Sequence, residues 1–429
     1  MSDEYLSELS KCRKCRFCID QCPTFTLLDN IEVRGPYGRV QMLKFMLKGF
    51  YDVEDSIIHS IYSCLRCGQC NVVCGEVGEA LEVSELIRYG RNILISRIKE
   101  HKLSTPEANL INYVLDTLSS NIIKKYDPVG IGGKYWVKWV GDLNIPRRGS
   151  TVLYTSRMYQ MTPYLTTVTD LMKKHRDMLM KGKMKGLIKV GTWLGVKWAG
   201  IKADRKLEDK SSKALYGIAL TLKKLGVEYS YLYDDEPYCG TLLYDLGLDE
   251  CLKDYIPKVV DIFRKHNVEK LITVDPHTHH MLKDVYPEYS NGFNIEVIHY
   301  LELLNKHVDE LSKLGNPSIR EYVIHDPCTM ARYNGIIEEP RNIAERLNIK
   351  LIEPKRSKLY TKCCGGPIEY AYPDYTDIIA RDRVSELSRH SNKIITYCPI
   401  CLTNFVKHSG EFNTEVYDFG EVLYEILHS

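Results

Sequence analysis

Residues 12–23 read CRKCRFCIDQCP and residues 64–75 read CLRCGQCNVVCG. The spacing C-x2-C-x2-C-x3-C thus occurs twice, as Cys12, Cys15, Cys18, Cys22 before Pro23 and as Cys64, Cys67, Cys70, Cys74 before Gly75. Three thiolates at this spacing wrap one cubane cluster, while the fourth reaches across to the other cluster. The pattern predicts one 4Fe-4S cluster on Cys12, Cys15, Cys18 and Cys74 and a second on Cys64, Cys67, Cys70 and Cys22. Zinc is the competing reading, but it prefers four ligands as two separated pairs and does not call for three close cysteines plus a fourth.

Apolar residues recur at helical intervals in VQMLKFMLKGF (40–50) and ALEVSELIRYGRNILISRIKE (80–100), the first preceded by a turn at Arg34-Gly35-Pro36-Tyr37-Gly38-Arg39. Residues 1–105 are expected to form a mostly helical domain, followed by a helical linker over 106–148. The last third changes character. Cys328 follows YVIHDP (322–327), then comes Cys363-Cys364-Gly365-Gly366, and Cys398-Pro399-Ile400-Cys401 follows the β-rich KIITY (393–397). Three strand ends of an open α/β sheet would bring these five thiolates together, where such sheets place their ligands. A CxxC redox pair with incidental cysteines is the alternative.

With these motifs the chain resembles the CCG-domain iron-sulfur proteins, which include heterodisulfide reductase D-type subunits, the iron-sulfur subunits of anaerobic glycerol-3-phosphate dehydrogenase, and related glycolate and lactate oxidase subunits. The resemblance is carried by the two cysteine runs, His325-Asp326-Pro327-Cys328, Arg332-Tyr333-Asn334-Gly335, Cys363-Cys364-Gly365-Gly366 and Cys398-Pro399-Ile400-Cys401, and it covers nearly the whole chain. It implies an α-helical two-cluster ferredoxin-like domain followed by two α/β CCG (cysteine-rich) domains. It also implies that Cys328, Cys363, Cys364, Cys398 and Cys401 hold one additional 4Fe-4S cluster, noncubane in some members.

An internal repeat supports two such domains. Ile272-Thr273-Val274-Asp275-Pro276-His277-Thr278 aligns with Ile395-Thr396-Tyr397-Cys398-Pro399-Ile400-Cys401 at an offset of 123, and Glu236-Pro237-Tyr238-Cys239-Gly240 aligns with Thr361-Lys362-Cys363-Cys364-Gly365 at an offset of 125. Tyr154 to Met158 then matches the surroundings of Cys328. Residues 149–303 are read as a degenerate CCG domain and 304–429 as the intact one. The degenerate copy offers Arg157, Tyr238, Cys239, Asp275 and Thr278 where the other has cysteines, a set unable to hold an iron-sulfur cluster. His277, His279 and His280 sit at this site, either as polar filling or as a replacement metal or quinone-headgroup site with Asp275 and Cys239.

Arg157 and Tyr238 are separated by 80 residues, against 34 between Cys328 and Cys363, and the surplus (about 165–205) is basic. Residues 178–203 hold six lysines and no acid. As an interfacial amphipathic helix this segment would set Leu187, Val190, Trp193, Leu194, Trp198 and Ile201 against a membrane and its lysines toward anionic lipid. Docking on a partner subunit, or packing on its own domain, is the alternative.

Across 429 residues, 58 basic and 56 acidic side chains nearly balance at a net charge of +2, which argues against nucleic acid as a partner. The absence of an apolar run of membrane-spanning length and of an N-terminal signal core leads to the expectation of a cytoplasmic chain, peripheral on the cytoplasmic face of a membrane. In that compartment clustered cysteines point to metal rather than disulfides. Gly130-Ile131-Gly132-Gly133 lacks the spacing of a dinucleotide fingerprint, so a partner must supply electrons. The expected function is electron transfer from a flavoprotein dehydrogenase or electron-transferring flavoprotein, through the two 4Fe-4S clusters to the CCG cluster, and on to a membrane quinone. The alternative is a heterodisulfide reductase acting at the CCG cluster, and a redox-silent scaffold or sensor is a third reading.

Overall fold

The computed structural model of the chain describes residues 2–78, 80–130, 136–182, 202–314 and 320–428. Helices Ser2–Ser10, Pro36–Leu47, Asp55–Tyr62, Val83–Glu100 and Pro106–Lys125 enclose one apolar core that includes Leu43, Ile58, Ile61, Ile87, Leu94 and Ile111. Pro36 and Pro106 open their helices at the first turn, where a missing N–H costs nothing. The helix from Pro106 stops when Tyr126 turns left-handed (φ 52°). Asp127 then accepts from Val129 N at 2.9 Å in place of a further helical turn. The linker expected to be helical over 106–148 is therefore helical only to Lys125, with one short turn at Lys138–Val140 among the described residues beyond.

Two parallel sheets follow. Strands β1 (Thr151–Tyr154), β2 (Lys270–Thr273) and β3 (Glu296–His299) lie in the order β1-β2-β3. Strands β4 (Arg320–Ile324), β5 (Ile349–Ile352), β6 (Lys393–Thr396) and β7 (Glu415–Asp418) lie in the order β5-β4-β6-β7. Ser230 makes a single parallel bridge to Val152 beside β1, as β5 lies beside β4. Leu153 faces Ile272 in one sheet and Ile324 faces Ile395 in the other. Counting four residues on from Leu153 and from Ile324, which hold matching registers, sets Arg157 in the place of Cys328.

The two α/β units are joined where helices Arg205–Lys224 and Phe419–Leu427 cross. A Cβ on Gly217 would lie 2.1 Å from the Gly420 carbonyl oxygen, and one on Gly420 would lie 2.4 Å from that of Ala214. Nothing larger than glycine fits at this backbone contact. Lys210 Nζ locks the crossing by donating to Glu421 Oε1 at 2.9 Å.

Helix Met158–Met180 leads toward the basic insertion. Residues 183–201, and with them Leu187, Val190, Trp193, Leu194, Trp198 and Ile201, lie outside the described residues. Among the described residues no helix is long and apolar enough to cross a membrane.

Gly217→Ala and Gly420→Ala should each destabilise the chain by about 2–3 kcal/mol through overpacking at the crossing. Gly410→Ala, where an added Cβ meets nothing within 4 Å, should leave the urea midpoint unchanged.

Candidate metal centres

Both N-terminal cysteine loops fold by one rule. The second and fourth residues after the first cysteine are left-handed in each: Lys14 (φ 61°) and Arg16 (φ 67°), then Arg66 (φ 49°) and Gly68 (φ 73°). These reversals curl three successive thiols around one centre. Cys12, Cys15 and Cys18 line a cavity with Cys74, and burial together with Cys12, Cys15 and Cys74 pushes the Cys18 thiol up to about 12. Cys64, Cys67 and Cys70 line a second cavity with Cys22, and burial together with Cys67, Cys64 and Cys22 raises Cys70. Helix Gln69–Glu76 serves both cavities because Cys70 and Cys74 stand one turn apart on it, about 6 Å along its axis.

Four guanidinium groups stand around the second cavity: Arg66 pairs with Glu85 and Asp245, and the other three find only neutral partners. Arg39, 1% exposed, donates to Ser60 O at 2.7 Å and to Ser63 Oγ at 3.3 Å, and reaches Cys22 Sγ at 3.9 Å. Arg91, also 1% exposed, donates to Asp245 O and Cys64 O at 2.6 Å and to Tyr62 O at 3.2 Å. Arg332 donates to Cys67 O at 2.6 Å, to Leu359 O at 2.9 Å, and to Gln69 Oε1 and Thr361 O. None of the three pairs with a carboxylate among the described residues. Buried charge without a counterion is costly unless an anion shares the site. A cluster bound by four thiolates is such an anion, so the residues present fit it.

Five further cysteines converge at the C-terminal ends of β4, β5 and β6. Cys328 Sγ lies 3.8 Å from Cys363 Sγ. Cys364 lies beside Cys363 and Cys401, and Cys401 beside Cys398. All five are at most 5% exposed. Cys363-Cys364 closes onto helix Pro399–Ser409 because glycine follows, since a Cβ on Gly366 would sit 2.1 Å from Ile400 Cγ2. Asp326 holds the loops in register. It accepts from Arg341 Nη1 and Nη2 at 2.9 and 3.0 Å, from Lys358 N at 2.7 Å and from Tyr397 OH at 2.7 Å. Burial would raise its carboxyl, but the Arg341 pair and these donors keep it below the usual carboxylate range. Nearby Glu369 is pushed up to about 7, chiefly by burial, with Lys407 opposing and Cys364 adding to the rise.

The cysteine sets touch one another. Cys67 lies beside Cys363, and this neighbour leads the causes that draw the Cys67 thiol down. Arg332 and Tyr333 stand on the π-helical turn Met330–Asn334, just past Cys328. Tyr333 OH donates to Arg66 O at 2.7 Å, and Asn334 Nδ2 donates to Pro276 O at 2.9 Å. One turn thereby reaches the helical unit and both α/β units. Arg332-Tyr333-Asn334-Gly335 is visible in the sequence as a motif, but nothing in its spacing foretells these partners.

In the middle unit Asp275 caps helix Pro276–His280, accepting from His277 N and Thr278 N at 3.0 Å, as Cys398 stands before Pro399. Burial and Asp275 push Cys239 up to about 12, and Thr278 Oγ1 lies 3.6 Å from its sulfur. The three histidines diverge. His279 Nδ1 meets Thr273 Oγ1 at 2.9 Å in the core, His280 Nδ1 meets Asp284 Oδ2 at 2.8 Å, and His277 lies beside Cys398 of the C-terminal set. They do not assemble a replacement metal site with Cys239 and Asp275. Each has a separate structural partner, and the reach of His277 to Cys398 is a contact that spacing alone could not reveal.

Known proteins match in the same places. A 4Fe-4S dicluster domain matches residues 8–76, and a cysteine-rich (CCG) domain matches residues 322–406. The EtfAB:quinone oxidoreductase of Syntrophomonas wolfei is 30% identical over 51% of this chain, and the chain spans about a third (33%) of that protein's length. The D-type subunit of the dihydromethanophenazine:CoB–CoM heterodisulfide reductase of Methanosarcina acetivorans is 23% identical over 96% of this chain and 91% of its own. The B-type subunit of the fumarate reductase (CoM/CoB) of Methanothermobacter marburgensis is 21% identical over 92% of this chain and 67% of its own. The two matched domains coincide with the cavities and strand ends that gather the cysteines, so this chain carries a 4Fe-4S dicluster domain and a cysteine-rich CCG domain and is similar along most of its length to the D-type subunits of heterodisulfide reductase and the B-type subunit of fumarate reductase.

Proposed function

We propose that this electron-transfer subunit supports the reduction of a disulfide. By this reading Cys12, Cys15, Cys18 and Cys74 hold one 4Fe-4S cluster, Cys64, Cys67, Cys70 and Cys22 a second, and Cys328, Cys363, Cys364, Cys398 and Cys401 a third. When bound, such clusters carry single electrons between a flavoprotein partner and the substrate. The observation that carries the reading is the position of Arg332, which donates to Cys67 O at 2.6 Å and to Thr361 O two residues before Cys363, and so sets the second and third sets side by side.

Reducing a disulfide to two thiols takes two electrons and two protons. The chain provides for the protons near the third set, since burial keeps Glu369 close to half-protonated at neutral pH and its Oε2 has no hydrogen-bond partner. His277 lies beside Cys398, and Asp326 fixes the strand-end loops. Relatives matched along most of this chain are named for heterodisulfide or CoM/CoB chemistry. That weight shifts the preferred reading from quinone reduction, expected from the sequence, to disulfide reduction.

Quinone delivery is retained as the second reading on one observation. The shared strand order of the two sheets supports a second CCG domain over 149–303, and Arg157, Tyr238, Asp275 and Thr278 stand there in place of cysteines. A paired-cluster disulfide site would then be half missing. The name of the Syntrophomonas relative agrees with this reading, as would membrane contact through residues 178–203.

The purified holoprotein should contain about twelve irons, falling to about eight in Cys364→Ser, by iron and sulfide assay. Cys74→Ser should disturb the cluster signal that Cys12→Ser disturbs, and Cys22→Ser the one that Cys64→Ser disturbs. With reduced methyl viologen as donor, the holoprotein should oxidise two viologen radicals per aliphatic disulfide, and Cys398→Ser should abolish turnover. Turnover with a short-chain quinone and none with disulfides would put the second reading first. Arg39→Met should lower the midpoint potential of the second cluster in an EPR-monitored titration, by about 60 mV for each ~1.4 kcal/mol of lost attraction.

A further inference from the structure

The two N-terminal loops are twins offset by 52 residues, yet among the described residues only one of them is covered. In the second loop Arg66, Gly68 and Gln69 face the turn Met330–Asn334. Tyr333 OH donates to Arg66 O, a Cβ on Gly68 would lie 3.3 Å from the Tyr333 ring, and Arg332 donates to Gln69 Oε1. Cys67, between them, meets Cys363 of the next set. In the first loop the matching residues are Lys14, Arg16 and Phe17, with Cys15 in the place of Cys67, and all four are exposed.

This bare surface has a definite chemistry. Phe17 is 61% exposed, and Ile31 and Val33, at 42% and 40%, flank Glu32, whose carboxylate pairs with Arg16 Nε at 3.0 Å. Lys11 pairs with Glu8, and Arg13 adds a further exposed cation. Lys14 makes no ion pair among the described residues. Four cations and three apolar side chains thus surround an exposed cysteine, on a chain whose total charge is only +2. Large exposed aromatics at the centre of a charged patch are typical anchors of protein interfaces, and a local surplus of one sign steers a partner of the other.

We propose that the loop Lys11–Cys18, with Ile31 and Val33, is the docking face for an acidic flavin-bearing electron carrier, which sets its flavin against Cys15 as Cys363 is set against Cys67. The proposal rests on the reading that electrons enter at the first cysteine set. One electron passes per encounter, so the carrier is oxidised and the chain reduced by one, with no bond made or broken.

The test uses the full-length holoprotein and reduced flavodoxin, an acidic flavoprotein, mixed by stopped flow. The second-order rate should fall at least tenfold between low salt and 200 mM salt, and at least fivefold in Lys14→Glu and in Phe17→Ala. Lys253→Glu, a remote exposed lysine, should match the unmodified protein. Iron content and reduction by dithionite should be unchanged in all three. A salt-independent rate, or unmodified rates in Lys14→Glu and Phe17→Ala, would overturn the docking face. Cys18→Ser separates this from the underlying reading: full-rate reduction without the first cluster would show that electrons enter elsewhere and overturn both, whereas its failure beside unimpaired Lys14→Glu and Phe17→Ala would overturn the docking face alone.

Discussion

A single guanidinium organises this molecule. Arg332 leaves a π-helical turn in the last unit and donates to carbonyl oxygens of Cys67, Gln69, Leu359 and Thr361. Two of these belong to the loop of the second cysteine set and two to the approach to Cys363-Cys364. Arginine suits the task because its rigid fork of donors satisfies several carbonyls at once without losing its charge. The distances that let Cys67 and Cys363 meet follow from this clamp, and Tyr333 and Asn334 extend it to Arg66 and to the middle unit. Displacing one turn would separate cysteine sets that lie far apart in the sequence.

Legibility in the sequence follows how local each constraint is. The crossed grouping of Cys74 with the first loop and Cys22 with the second could be read because a cubane demands fixed spacing along the chain. The strand-end cysteines could be read because short β-branched runs precede Cys328 and Cys398. The roles of Arg39, Arg91 and Arg332 could not, although Arg39 and Arg332 stand in visible motifs, since their partners come from distant helices and loops. The helix at Pro106 was legible at its proline, but its end at Tyr126 depends on a left-handed residue and the Asp127 turn, which helical periodicity does not register. The histidine cluster suggested a shared site by proximity in sequence, yet on one short helix each side chain leaves in its own direction.

The middle unit repeats the strand-to-helix turns of the last unit without its cysteines. Asp275 supplies the cap that opens the helix after β2, at the place where Cys398 stands before its helix. Arg157 stands at the strand end, four residues after Leu153, and donates to Tyr126 O at 3.2 Å and Asp234 O at 3.1 Å, tying that end to the linker. Thr155 Oγ1 donates to Glu236 Oε2 at 2.6 Å beside it. Hydrogen bonds hold this strand end together, and the unit presents His277 to its neighbour.

The arginines around Cys22, Cys64 and Cys67 come from distant parts of the chain. Arg39 and Arg91 belong to the helical unit, whereas Arg332 comes from the last one. The second loop therefore reaches its final form only once a residue 265 positions further along has packed against Cys67. The geometry at Cys67 is in that sense a report on the folding of the whole chain.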